Sequence, residues 1–154
     1  MKTTVKIILC VAMLMASVTT NAQVKAFEKY ADTKNVTYVY ISKFMLRMVD
    51  ASSAPSVPGV NTQSLMKKLN GIQIISSDNK NAIVRLKADA QSIVKQGKYE
   101  LLMQMDEDGE KVRIYHSEGK QQSVVVMMAD EGDEFTVIVF SGTFTMEDVM
   151  KMTQ

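Results

Sequence analysis

The apolar residues of this chain change period along its length, and the changes mark its elements. Val24, Phe27, Tyr30 and Ala31 recur at helical spacing and predict a helix over Val24–Thr33. Val36–Ile41 (VTYVYI) is β-branched and aromatic, the composition of a strand. Ser42 is placed to cap a following helix with an apolar side of Phe44, Met45, Met48 and Val49. Asp50–Asn61 holds both prolines among Ser and Gly, which predicts a loop. Too little chain precedes it for an independent core, so it is no domain boundary. Thr62–Leu69 predicts a short helix ended by Asn70 and Gly71, and Ile72–Ser76 a short strand.

The longest helical pattern follows. Ser77 or Asp78 is its expected cap, and it runs to Gln96. Its stripe is Ala82, Ile83, Leu86, Ala90, Ile93 and Val94, with Lys87, Asp89, Gln91 and Lys95 largely opposite. Gly97 suits the left-handed position that ends a helix.

Beyond Gly97 the period drops to two. Tyr99–Met105 alternates, which places Tyr99, Leu101, Met103 and Met105 on one side. Asp106–Gly109 turns the chain, with Gly109 able to take positive φ. Lys111–His116, Ser123–Ala129 and Phe135–Ser141 are the next strands, separated by turns at Glu118–Lys120 and Asp130–Asp133. Gly142 ends the sheet. Thr145 is the expected cap of a last helix, with Met146, Val149 and Met150 facing inward. The fold class is therefore α+β: a mostly antiparallel sheet with a C-terminal hairpin meander, packed by helices.

The last two strands carry apolar residues on both faces: Val124, Val126 and Met128 against Val125, Met127 and Ala129, and Phe135, Val137 and Val139 against Ile138 and Phe140. Val125, Met127, Ile138 and Phe140 form one face if Met128 and Val139 lie on the other. Such strands are usually buried on both faces. Helices on each side are the ordinary solution, because large exposed apolar patches are uncommon. The alternative is that one apolar face awaits a partner, and those four residues are then the candidate binding face.

The N-terminus bears on compartment. Lys2 and Lys6 precede an apolar run over Val5–Val18, and Thr20 and Ala22 put small residues at −3 and −1 before Gln23. That layout implies a signal peptide at 1–22 and a periplasmic or secreted mature chain. One domain over 23–154 remains, 132 residues (154 less 22). The only cysteine, Cys10, lies inside the apolar run, so neither lipidation nor a disulfide is expected. No later segment is long and apolar enough to span a membrane.

Composition removes some function classes and adds none. The 18 basic residues include Lys2 and Lys6 and face 17 acidic ones. With no basic stripe and no tryptophan, nucleic-acid binding has no electrostatic support. No internal repeat is evident. No phosphate loop, dinucleotide fingerprint, HExxH or GxSxG motif occurs. His116 is the only histidine. Its neighbours Ser117 and Glu118 do not assemble a triad by adjacency, since successive strand residues point to opposite faces. It is expected at the surface or a sheet edge. The 13 methionines include Met1, Met13 and Met15 of the signal. Thioethers suit Cu(I). Met45 and Met48 share a helical face with Phe44, however, and Met103 and Met105 share a strand face with Leu101. Core filling is thus the simpler account. Asp106–Glu110 and Asp130–Glu134 are acidic but lack EF-hand spacing, and read as solvated hairpin turns. No metal or cofactor is expected.

Several segments together resemble a known family. Val36–Met45 (VTYVYISKFM), Tyr99–Leu102 before an acidic turn, and Phe140–Asp148 (FSGTFTMED) are similar to the DUF4252 family of secreted Bacteroidetes proteins. The resemblance covers nearly all of the mature chain and implies one secreted domain. It brings no catalytic residues. The expected function is a non-enzymatic binding module with a protein partner. A carrier of an apolar small molecule, with a Met-rich deformable interior, is the alternative. A hydrolase built on His116 ranks below both.

Overall fold

Six strands pair in the order β1-β2-β6-β5-β4-β3, every neighbouring pair antiparallel. They are β1 (Thr37–Ser42), β2 (Leu69–Ser77), β3 (Glu100–Glu107), β4 (Glu110–Glu118), β5 (Ser123–Asp130) and β6 (Phe135–Gly142). The helices are α1 (Lys43–Met48), α2 (Lys80–Gln96) and α3 (Met146–Met150). The class is α+β, and β3 to β6 form the expected meander. The structure, a computed structural model, describes residues 25–48 and 66–150, without the side chains of Val149 and Met150. The expected signal peptide, Val24, Val49, the loop Asp50–Asn61, the start of the helix expected from Thr62 and the inward side of Val149 and Met150 lie outside the described residues.

Local chemistry accounts for the joints. Asp108 and Gly109 both take positive φ, at 48° and 91°, so β3 and β4 meet in a two-residue turn that matches strand twist. The cap of α2 is Asn79, whose side chain accepts hydrogen bonds from the Asn81 and Ala82 N–H groups. This corrects the expected cap. Ser77 is unavailable because its hydroxyl donates to the Asn35 carbonyl and accepts from the Asn79 N–H inside the fold. Gly97 has φ of −82°, and the left-handed residue is Lys98. At the C-terminus, the Thr145 hydroxyl accepts from the Asp148 N–H while the Asp148 carboxylate accepts from the Thr145 N–H. That reciprocal pair is a capping box with Asp in place of Glu.

The main core lies between α2 and one face of the sheet. Ala82, Ile83, Leu86, Ala90 and Val94 of α2 are buried against Ile75, Val126, Met128, Val137 and Val139. Ile93 is half-buried at the margin. Phe27 and Tyr30 close this core from the N-terminal side, although the expected helix there is only a 3-10 turn over Glu28–Tyr30, with Ala31 exposed. Tyr30 donates to Asp89 at 2.5 Å, and Lys29 pairs with the same carboxylate. Burial and Asp89 together raise the Tyr30 hydroxyl well above its ordinary pKa. Lys87 is not a free surface residue: it pairs with Asp130 at 2.6 Å and lies over the Phe135 ring.

A second, smaller cluster sits on the other face, at one end. Leu46, Leu69 and Phe144 are its buried members, with Ile41, Ile72, Val125 and Phe140 packed beneath. Here the sequence reading of α1 is reversed. Leu46 is its buried residue, while Phe44 (71% exposed), Met45 and Met48 face outward. A helix of under two turns docks through one side chain, so its apolar period carries little information. Leu69–Gly71, expected to end a helix, instead begins β2, preceded by helical residues 66–68. Gly142 is required by close approach: a Cβ there would stand 2.3 Å from the Lys68 carbonyl oxygen, which accepts the Thr143 N–H.

Candidate binding face

The strand register builds the face opposite α2 row by row, since directly paired residues share a side. One row runs Val39, Ile74, Ile138, Met127, Ile114, Met103 and is apolar across all six strands. The next row toward the α1 end is Ile41, Ile72, Phe140, Val125, His116, Glu100. The next row the other way is Thr37, Ser76, Thr136, Ala129, Val112, Met105.

All four sequence-predicted residues therefore lie on one face, and Met128 and Val139 lie buried on the other. The four do not share one environment. Val125 and Phe140 pack under the cluster of Leu46, Leu69 and Phe144. Met127 and Ile138 belong to the central row and are half-buried. That row ends in exposed residues, Val39 at 41% and Met103 at 48%. Among the described residues, α2 covers one face and the other is capped at one end only. The row members Val39, Ile74, Ile114 and Met103 escape sequence reasoning because strand order is set by long-range pairing.

A bulge shapes the β3 edge. The β3–β4 register shifts between Leu101 and Met103, so Leu101 pairs with Tyr115 on the α2 side and Met103 with Ile114 on the open side. This overturns the single apolar side expected for Tyr99 to Met105. Tyr99 packs at the margin of the α2 core, where burial pushes its hydroxyl up to about 12. Methionine is not mainly core filler either. Met128 is buried, whereas Met45, Met48 and Met103 are exposed and Met127 half-exposed.

His116 is buried, at 3% exposure, on an inner strand rather than at a surface or edge. It lies beside Phe144, ring centroids 6.3 Å apart, and its Nε2 is buried with no hydrogen-bond partner among the described residues. Ser117 faces the other side, where its hydroxyl meets the Gly97 carbonyl at 3.5 Å. Geometry thus brings neither Ser117 nor a carboxylate into bonding reach of the imidazole. Among the described residues no group of three or more His, Cys, Asp or Glu could hold a metal ion. Both acidic segments lie at hairpin turns, where Asp106 pairs with Arg113 and Asp130 with Lys87. A cleft of about 330 Å³ at the start of β1 is walled by Asn35, Thr37, Ser77, Asp78 and Glu134, with Val36, and is polar. No described helix is long and apolar enough to cross a membrane.

No curated protein and no solved structure matches this chain. The family model described as "Domain of unknown function (DUF4252)" matches residues 30–152. That span takes in the whole sheet, α2 and, except for Phe27, both clusters, and so the chain belongs to the DUF4252 family.

Proposed function

We propose that this protein is a secreted or periplasmic, non-enzymatic binding module that docks a protein on the open face of its sheet. The observation behind this reading is the apolar row Val39, Ile74, Ile138, Met127, Ile114, Met103, which no described helix covers. A contiguous apolar row rimmed by polar residues is a candidate interaction site. A sheet with one helix layer is also two-thirds of a three-layer sandwich, so a partner element would complete a familiar packing. The basic start, apolar run and small residues before Gln23 support export. The polar cleft at the start of β1 gives the carrier alternative no support, since it would not hold an apolar molecule.

Site-directed photo-crosslinking tests the reading in the exporting cell. A photoreactive residue at Met127 should form a discrete protein adduct. The same group at Val84, exposed on the outer side of α2, should not. Equal adducts at both positions would remove the open face as the site. Native mass spectrometry of gently purified protein should give the mass of a chain starting at Gln23 and nothing more. A co-purified apolar molecule would favour the carrier.

A further inference from the structure

The two edges of the sheet are finished differently. The β3 edge carries Glu100, Asp106 and Glu107, and a bulge between Leu101 and Met103 breaks its register. Charge and irregularity of this kind guard an edge against another strand. The β1 edge has neither. Its six residues, TYVYIS, include no charge, proline or glycine, and all six pair with β2 without a shift. In an antiparallel ladder every second residue turns its N–H and C=O away from the paired neighbour. Among the described residues, nothing outside β2 bonds the main chain of Thr37–Ile41. Thr37, Val39 and Tyr40 are exposed. Main-chain donors and acceptors that alternate along an extended edge fit one kind of ligand, another extended strand.

Charge chooses the owner of that strand. The polar cleft at the start of β1 has Asp78 and Glu134 in its wall and no Lys or Arg. Both acids are exposed, and neither forms an ion pair among the described residues. Just past the other end of β1, Lys43 is exposed and donates to the Asn70 side chain at 3.1 Å. One end of the strand is therefore acidic and the other basic. Antiparallel pairing of two copies about a two-fold axis lays each end against the opposite end of the other copy. Directly paired residues share a side of the sheet, so the axis must pass a residue that faces itself. With the axis at Val39, Val39 meets Val39, Tyr38 meets Tyr40 and Thr37 meets Ile41. These are the β-branched and aromatic pairs that favour strand pairing, and no like charges meet. Lys43 of the second copy then stands opposite Asn35, which lines the cleft. Lys34 adjoins Asn35 in the chain, and the two carboxylates outnumber it.

We infer that this protein pairs with a second copy of itself through β1, joining two six-stranded sheets into one, with Lys43 of each copy at the carboxylate-lined cleft of the other. The pairing goes beyond the docking reading and does not rest on it. It uses up the unguarded edge of each copy and leaves a guarded β3 at both ends of the joined sheet, so assembly stops at two. It also sets the two apolar rows end to end at Val39. The contact is short, which puts the dimer in the weak, concentration-dependent class, with single chains prevailing in dilute solution.

Sedimentation velocity of the purified protein over a concentration series tests it. The sedimentation coefficient should rise from that of one chain to that of two. Val39→Lys puts two like charges on the axis and should hold the protein at one chain. Thr37→Lys, at the exposed start of β1, gives the same reading should Val39→Lys fail to fold by circular dichroism. Lys43→Glu should weaken the dimer at least about tenfold, and Lys43→Glu/Glu134→Lys should restore it. Val39→Cys checks the register. Cys10 leaves with the expected signal, so the exported chain has no other thiol. A short bismaleimide should give a covalent dimer from Val39→Cys and none from Met103→Cys on the β3 edge. A single chain at every concentration, a dimer that both lysine variants leave intact, or equal crosslinking at the two edges would overturn the inference. Failure of Lys43→Glu to weaken the dimer would overturn the cleft contact. Capture of a different protein by a photoreactive residue at Val39, with no dimer in sedimentation, would assign the edge to a partner's strand and overturn the self-pairing. None of these outcomes bears on the Met127 adduct, which tests the docking face by itself.

Discussion

The two faces of one sheet are built from the same kinds of side chain and have different fates. On β6, Val137 and Val139 are fully buried beneath α2, while their neighbours Ile138 and Phe140 remain half-exposed on the other side. On the covered face the marginal charges are matched, as in Lys87–Asp130 and Arg113–Asp106. On the open face the hairpin glutamates Glu100, Glu107, Glu110 and Glu118 form no ion pair among the described residues. An apolar strand face therefore does not by itself specify core. What specifies core is the presence of an opposing element long enough to cover it and charges arranged to close its rim.

The largest expected effect tests the covered face. Leu86 is fully buried mid-stripe on α2, between the helix and the sheet. Leu86→Ala should cost about 2–5 kcal/mol, since the rigid sheet below cannot collapse into the cavity. Urea denaturation followed by circular dichroism measures it. A loss under 1 kcal/mol would mean that α2 is not the main lid.

The partial lid on the open face should fail next, and by acid. Asp148 accepts from Lys68 at 2.6 Å and from the Thr145 N–H at 2.8 Å, which lowers its carboxyl pKa from 3.8 to about 2. A folded pKa below the unfolded one gives stability that is present above the ordinary carboxylate range and is lost as pH falls through the folded value. The pH window is therefore about 4 to 2 for this group. Asp148→Asn should lose the Lys68 pairing at neutral pH and flatten the fall in melting temperature across that window. An unchanged acid profile would show that the Lys68–Asp148 link does not hold Phe144 and α3 in place.

Much of this architecture was legible in the chain, and the failures have physical causes. The α2 stripe was readable because 17 residues give nearly five turns of period, and all its central members are buried. The hairpin turn at Gly109 was readable because Asp-Gly has few other uses between strands. The pairing of Val125, Met127, Ile138 and Phe140 on one face followed from period two alone. The face of α1 did not follow, because one turn and a half of helix is positioned by Leu46 filling a gap between Leu69 and Phe144, contacts about 23 and 98 residues away. The bulge at Leu101–Met103 leaves no mark in composition. The depth of His116 depends on Phe144 folding back over it. The full apolar row needed β2 to insert between β1 and β6, which no local pattern encodes.

The smallest expected effect is the sharpest test of the comparison. Val137 and Ile138 are adjacent on β6, both β-branched, one fully buried and one half-exposed. Threonine keeps the branch and the strand preference of each while adding a hydroxyl. In Val137→Thr that hydroxyl enters the α2 core, where no polar partner is described. The cost should be about 1–3 kcal/mol, the usual penalty for a buried, unpaired polar group. In Ile138→Thr the hydroxyl faces water, so the loss should stay below about 1 kcal/mol, arising from the trimmed methylene and partial burial. Urea midpoints of the two variants, at equal slope, give the difference directly. Equal losses would mean that Ile138 is as dry in solution as Val137 and that the second face is already covered. A small Ile138→Thr loss with a large Val137→Thr loss keeps the open face open, and makes Ile138→Thr the variant of choice for weakening a partner without disturbing the fold.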